Sequence, residues 1–308
     1  MPNDNLLSIT PIDGRYESQT KSLTAYFSEF ALIKTRVEVE IEWLLLISKN
    51  KSLKFVPEVS NSQQKKITNI FQEFSLQDAR QIKKIEKKTN HDVKAVELFI
   101  VEKLKKLKLN KLCEFVHFCC TSEDINNLSY SLMLQRFLNN EFLPEVNLLQ
   151  KNLNSLAKRH SKLSMLAFTH GQPASPTTLG KEFSNFSYRI KFHLDLIKSI
   201  KQKGKFNGAS GNYNAHVVAE KKVNWETLSR KLVNSLGLDF SSHSTQIELK
   251  DAMAFQLTNT HNLNNVLIDF AQDIWLLISK NYLKQNLKVG EVGSSTMPHK
   301  VNQIDFEN

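Results

Sequence analysis

Side chains able to move protons or hold anions concentrate in four short polar runs of this 308-residue chain. The densest is Gly293-Ser294-Ser295-Thr296-Met297-Pro298-His299-Lys300-Val301-Asn302, a loop bounded by glycine and proline. Its backbone N–H groups, Lys300 and Asn302 can together hold a carboxylate and the negative charge that builds on it during a reaction. A flexible polar surface loop is the plainer account, but chance does not easily assemble the whole run. Thr169-His170-Gly171-Gln172-Pro173 sets a histidine beside a glycine, ahead of an expected helix. An imidazole there can titrate near neutrality and protonate a leaving group, although a loop histidine is more often simply exposed. Thr89-Asn90-His91-Asp92-Val93-Lys94 and Thr121-Ser122-Glu123-Asp124 each place Asp three residues after Thr, the spacing of a capping box. Helix starts offer unpaired N–H groups and a positive dipole end to a phosphate or carboxylate. Ordinary caps have the same sequence, and the residues alone favour that reading.

The elements that must position these runs read as long helices. Nine glycines and seven prolines punctuate the whole chain, and long stretches contain neither. Leu179, Phe183, Phe186, Ile190, Leu194 and Ile197 recur at three- and four-residue steps, predicting a helix over about 177–202. Val146, Leu149, Leu153 and Leu156 repeat the pattern after Pro144, as do Leu263, Leu267, Phe270, Ile274 and Leu277 within a helix expected over about 251–285. Each stripe buries one helix face against neighbours, as in a bundle. Alternating strand-like runs are scarce, so the expected fold is mainly α. A boundary is expected near residue 111, giving an N-terminal helical domain over 1–110 and a long-helix bundle domain over 111–308.

Composition narrows the function classes. The hydrophobic share of 41% and charged share of 23% suit a globular protein. No apolar run reaches membrane-spanning length, and the first residues lack the basic and apolar regions of a signal peptide, so the expected location is cytoplasmic. Cys113, Cys119 and Cys120 are too few and wrongly spaced for a zinc site or a disulfide framework. The net charge of +10 raises nucleic-acid binding as an idea. Only seven of the 41 basic residues are arginines, however, and acidic residues interrupt the lysines, so a solvated surface able to attract anionic substrates is preferred.

The run at 293–302 resembles the signature of the fumarase/aspartase superfamily, Gly-Ser-Ser-x-x-Met-Pro-x-Lys-x-Asn, with one spacer residue fewer. Asn90-His91-Asp92-Val93-Lys94-Ala95-Val96-Glu97, Thr121-Ser122-Glu123-Asp124-Ile125-Asn126-Asn127, residues 169–173 and Ser244-Thr245-Gln246-Ile247-Glu248 narrow the resemblance to the adenylosuccinate lyases. It extends from Pro11-Ile12-Asp13-Gly14-Arg15-Tyr16 to the last residue. The resemblance implies a long-helix bundle and an anti β-elimination releasing fumarate from adenylosuccinate and from its succinylated imidazole-carboxamide relative, without cofactor or metal. By correspondence Ser294 is the base, His170 the general acid, and Glu307 the acidic partner of the histidine. Ser295, Lys300 and Asn302 match positions that hold the substrate's carboxylates, and Val301 matches a substrate-binding position. Arg15, Tyr16, Asn90, His91, Asp92, Thr121, Ser122, Gln246 and Asn308 match other substrate-binding positions. A homotetramer with a shared central helical bundle is implied, and neither a nucleic-acid nor a membrane partner is.

Two departures accompany the match. Gln303 stands where the family pattern has proline, which loosens the exit from the loop without removing a reacting group. Family chains also continue past the position of Asn308 to complete the bundle and add a C-terminal domain. The bundle domain is therefore expected to be incomplete here, the C-terminal domain absent, and residues 1–308 alone inactive. Competing expectations are another lyase of the superfamily, which the matches at 90–97 and 244–248 oppose, and an inactive remnant.

Overall fold

The computed structural model describes residues 5–286 and, beyond them, 296, 297, 301 and 306. These form a mainly helical protein, as the patterning predicts. Along the chain, two short helices, α1 (Glu17–Thr20) and α2 (Thr24–Phe27), precede α3 (Glu29–Ser48), α4 (Asn61–Gln72), α5 (Leu76–Thr89) and α6 (Asp92–Lys106). Then come α7 (Ser122–Phe137), α8 (Leu143–Arg159), strands β1 (Ser164–Thr169) and β2 (Gln172–Thr178), and α9 (Leu179–Ser199). The rest comprises β3 (Lys203–Gly204), α10 (Asn214–Ala219), α11 (Trp225–Ser235), β4 (Asp239–Phe240) and α12 (Asp251–Ser279). The helices expected over 177–202 and 251–285 are thus α9 and α12, each a little shorter than its stripe predicts. Two compact units are present, Met1–Glu141 with Lys201–Met253, and Phe142–Ile200 with Ala254–Asn308. Residue 111 falls inside the first of them.

Helix α3 is the axis of the first unit, packing on α4, α5, α6 and α7. Its buried residues include Val37, Ile41, Trp43, Leu44 and Ile47, and they surround most of the helix rather than one stripe. A helix apolar on most faces belongs in a core. Serine caps start α3, α4 and α5: Ser28 accepts the Ala31 N–H, while Ser60 with Gln63 and Ser75 with Asp78 form capping boxes. The chain's second pass through this unit adds Phe206 and Trp225 beside Trp43, with ring centroids 4.6 and 6.4 Å away.

That second pass is locked to α7 by a buried ion pair. Lys205 Nζ lies 2.8 Å from Asp124 Oδ1, and neither side chain is solvent-exposed. Asp124 also accepts the N–H groups of Thr121, Asn207 and Gly208 at 2.9, 3.1 and 3.1 Å. Asn127 reaches across in the same way, exchanging hydrogen bonds with the Lys205 N–H and carbonyl. Parallel pairing of β3 with β4 completes the seam, and a side chain on Gly204 would collide with Leu128.

In the second unit, α8 and α9 pack together through Val146, Leu153 and Ala157 on one side and Phe183, Phe186, Ile190 and Leu194 on the other. Gly180 permits their closest approach, because a Cβ there would strike the Ala157 carbonyl and the Ser161 backbone. Strands β1 and β2 form an antiparallel hairpin, and Phe270 of α12 stacks edge-on against Phe186 at 5.2 Å. The α12 stripe is covered, with Leu263 and Ile274 buried and Leu267, Phe270 and Leu277 half-buried, whereas Ile268, Trp275 and Leu276 beside it are about half exposed.

The Asp124–Lys205 pair yields a stability prediction. Lys205→Met leaves a carboxylate buried without its counter-charge, which should cost about 3–5 kcal/mol in urea unfolding followed by circular dichroism. Adding Asp124→Asn should recover part of that loss. A Lys205→Met protein as stable as the wild type would show that the pair is not what holds the seam.

Candidate active site

In the first unit, the start of α6 and the start of α7 are tied to the same side of α3. Asn90 adopts a left-handed conformation (φ 51°) that ends α5, and His91 then caps α6 by accepting the Lys94 N–H on Nδ1 at 3.2 Å. The capping box expected between Thr89 and Asp92 is therefore not formed. Thr89 is the last residue of α5 and its hydroxyl points to the carbonyls of Ile85, Glu86 and His91. With α5 ending at Thr89, Asn90 closing it and α6 beginning at Asp92, the capping position falls to His91 and not to the threonine. The box expected at the second run is formed: Thr121 caps α7 and Asp124 accepts its N–H, with Ser122 in the first turn.

Arg36 joins these two starts. Its Nη2 lies 2.7 Å from Asp92 Oδ2 and its Nε donates to Asn126 Oδ1 at 2.8 Å. One turn along α3, Glu40 Oε1 is 2.6 Å from His117 Nδ1, and Trp43 Nε1 donates to the Phe118 carbonyl at 2.9 Å. His117 Nε2 lies 3.8 Å from Glu97 of α6, which Lys94 neutralises at 2.6 Å. The first unit also holds Gln246, exposed, close to Ser244, whose hydroxyl accepts from Asn207 Nδ2 at 2.8 Å. Gly211 (φ 80°) passes so near the Ser244 and Thr245 carbonyls that no side chain fits there. Arg15 is exposed and lies over the half-buried Tyr16 ring at 5.6 Å.

His170 belongs to the second unit. With Gly171 it forms the two-residue turn of the β1–β2 hairpin, at φ 53° and 72°, and its side chain is exposed. Two positive φ values in succession fit the twist of a tight hairpin. The helix expected after this run is α9, and the seven residues Gln172–Thr178 that lead to it form a strand that the patterning did not announce. The neighbouring Thr169 and Phe168 line a cleft with Phe183, Phe270, Asp273 and Lys280. Ser294, Ser295, Lys300, Asn302, Glu307 and Asn308 lie outside the described residues, and Val301 is half-buried. Among the described residues there is no group of three or more His, Cys, Asp or Glu arranged for a metal, and no helix long and apolar enough to cross a membrane.

The electrostatics distinguish the groups. Burial alone would raise the Asp92 carboxyl, but Arg36, the Val93 N–H and His91 outweigh it and hold Asp92 below the usual carboxylate range. Burial pushes Glu40 up despite its bond to His117. For His117, burial opposes the charge, yet the Glu40 hydrogen bond and the nearby Glu40, Glu97 and Asp124 charges win and raise it. His216 goes the other way: burial among Trp43, Tyr213 and Trp225, reinforced by Lys205, lowers it to about 4 although Asp124 opposes. Among the described residues neither His216 ring nitrogen has a hydrogen-bond partner.

Relatives with this sequence are known. A family of lyases matches residues 14–308. Adenylosuccinate lyase of Legionella pneumophila (strain Corby) is 46% identical over 98% of this chain and 67% of its own length. That of Escherichia coli K12 is 43% identical over all of this chain and 68% of its own. The chain belongs to the adenylosuccinate lyase family. It spans about two thirds of the length of these family members, which agrees with the expectation that family chains run further than this one. The fold also matches a fumarate lyase from Mesorhizobium sp. BNC1 with a TM-score of 0.69 at 18% identity, over 84% of this chain and 57% of that one. A β-carboxy-cis,cis-muconate cycloisomerase from Acinetobacter calcoaceticus follows at a TM-score of 0.65.

Among adenylosuccinate lyase residues of this chain that sequence reading missed, Arg36 and Glu40 were the most legible. They are charges four residues apart that share α3 with the apolar run Trp43–Ile47, although Glu29, Lys34, Glu38 and Glu42 of the same helix blur the signal, and only burial singles the two out as needing partners. His117, Lys205 and His216 carry no such local signal. The buried His216 provides a pH prediction. Its folded value lies below 6.5, so it contributes stability above pH 6.5 that is lost as pH falls through about 4. That drop corresponds to roughly 3 kcal/mol. His216→Phe should flatten the loss of urea stability between pH 6.5 and 4, and an unchanged acid slope would show that His216 is not its source.

Proposed function

We propose that the protein is a lyase of purine nucleotide biosynthesis, cleaving adenylosuccinate to AMP and fumarate and the succinylated aminoimidazole carboxamide ribotide in the same way. The match to adenylosuccinate lyases at 43–46% identity over nearly the whole chain supports this reading most strongly. In the reaction, Ser294 takes a proton from the carbon next to a carboxylate. The electron pair forms the fumarate double bond as the carbon–nitrogen bond breaks, and His170 protonates the departing nitrogen. Ser295, Lys300 and Asn302 hold the carboxylates and stabilise the second negative charge that develops there, with Val301 among the substrate-binding residues. Lys300 also lowers the cost of ionising Ser294, and Glu307 orients the imidazole. Asn90, His91, Asp92, Thr121 and Ser122 receive the anionic substrate at two helix starts, where N–H groups and helix dipoles favour negative charge. Arg15, Tyr16, Gln246 and Asn308 complete the binding set. No cofactor or metal takes part, the protein acts in the cytoplasm, and it assembles as a homotetramer around a shared helical core.

Purified protein of full family length should lower the absorbance of adenylosuccinate as fumarate is released, whereas turnover of malate or argininosuccinate instead would assign it to another branch. Ser294→Ala should abolish turnover with substrate binding largely kept, because a base acts in the transition state. Survival of Ser294→Ala with loss of Ser295→Ala would reverse the two serines. His170→Ala should lose about 10²–10⁴-fold in kcat, and a near-normal rate at neutral pH would remove His170 from proton transfer.

A further inference from the structure

Arg36 is a buried cation in the middle of α3, with a side chain only 6% exposed. Burying a guanidinium is unfavourable unless its N–H groups are matched, and two partners from different elements match it here. Asp92 is the first residue of α6, and Asn126 lies one turn into α7. Both elements begin with residues assigned above to substrate binding, His91 and Asp92 in one and Thr121 and Ser122 in the other. Arg36 is too enclosed to meet a ligand itself. Its planar fork fixes direction as well as charge, so it sets both the distance and the angle between the two starts. Farther along the same face of α3, Glu40 and Trp43 hold His117 and the Phe118 carbonyl in the segment leading into α7.

We propose that Arg36 is a positioning residue: by bridging Asp92 and Asn126 it holds the α6 and α7 starts at the spacing one anionic substrate requires. The assignment rests on the adenylosuccinate lyase reading. Misplacing a binding group by about 1 Å can cost on the order of 100-fold. A charge-assisted hydrogen bond contributes about tenfold to a hundredfold in an equilibrium. Loss of the bridge should therefore appear mainly in KM. It should also move Asp92, whose carboxyl is held low by Arg36 with smaller help from the Val93 N–H and His91. Without Arg36 that carboxyl titrates at higher pH.

The experiment compares protein of full family length as wild type, Arg36→Met, Arg36→Lys and Asn126→Leu with adenylosuccinate as substrate, measuring kcat, KM, the pH profile of kcat/KM and melting temperature. Arg36→Met should raise KM about tenfold or more with a smaller change in kcat, and should shift the acid limb of the profile upward. Arg36→Lys keeps a cation beside Asp92 and should restore the acid limb with only partial recovery of KM. Asn126→Leu should raise KM without moving the limb. If wild type turns over and Arg36→Lys and Asn126→Leu keep normal KM values, the positioning role is overturned and the lyase reading stands. A common fall in kcat that tracks melting temperature, with KM and the acid limb unmoved, overturns it too, since Arg36 would then be merely structural. Absence of turnover in the wild type overturns the lyase reading and this assignment with it.

Discussion

The first unit depends on one carboxylate kept in the dark. Asp124 carries its charge with no exposure to water, and it is tolerated because Lys205 and three backbone N–H groups are arrayed around it. Desolvating such a pair costs several kcal/mol per ion, so the arrangement persists only where nearly every lone pair is used. Apart from Thr121, its partners lie about 80 residues away in sequence, on the far side of the whole Phe142–Ile200 segment. The pair therefore does what apolar contact does not: it fixes one register between α7 and the returning chain. A one-residue slip at 205–208 would leave Asp124 facing a carbonyl instead of an N–H. The loop that reaches Ser244 and Gln246, and the start of α7, inherit their placement from that register.

Helix α3 extends the same logic. Its apolar residues would be satisfied by many packings, since hydrophobic contact is nearly non-directional. Arg36, Glu40 and Trp43 are directional, and each reaches a backbone or side-chain group in a segment that begins a helix or leads into one. The core thus supplies most of the stabilisation, and the polar stripe selects one arrangement of the polar segments around it. Helix starts are useful to an anion only when two or more point at one place, which is a demand on orientation and not on burial.

What could be read in the sequence follows from which of these forces leaves a local trace. The 3.6-residue stripe of Phe183, Phe186, Ile190 and Leu194 announces α9 because burial of one face repeats along the chain. The Thr121 box was legible since both partners lie within four residues. The hairpin at His170 was not, because tight turns of this kind usually announce themselves through Asn-Gly or Asp-Gly, and here a histidine takes the first left-handed position. Asn90 did carry a signal for the end of α5, as asparagine tolerates left-handed backbone, and it was overlooked in favour of Thr89. Lys205 and His216 have partners distant in sequence, so no local pattern could have placed them. Much of the candidate site came from resemblance, and six of its residues lie outside the described structure.

His117 and His216 show how one unit can drive two imidazoles in opposite directions. His117 faces Glu40 and Glu97, so its folded pKa is raised above 6.5, and its stabilisation, complete below pH 6.5, is lost as pH rises through the raised folded pKa. Glu40, raised by its burial, adds to the same trend above its ordinary range. His216 faces aromatic rings and Lys205, so its contribution is complete above pH 6.5 and disappears toward about 4. Both imidazole contributions are therefore substantially present only near the unperturbed histidine value, and either side of it removes one of them. His117 is bonded to the helix that carries Arg36, and His216 lies between Trp43 and the loop of Lys205. A change of pH in either direction thus acts on contacts that fix the approach to α7.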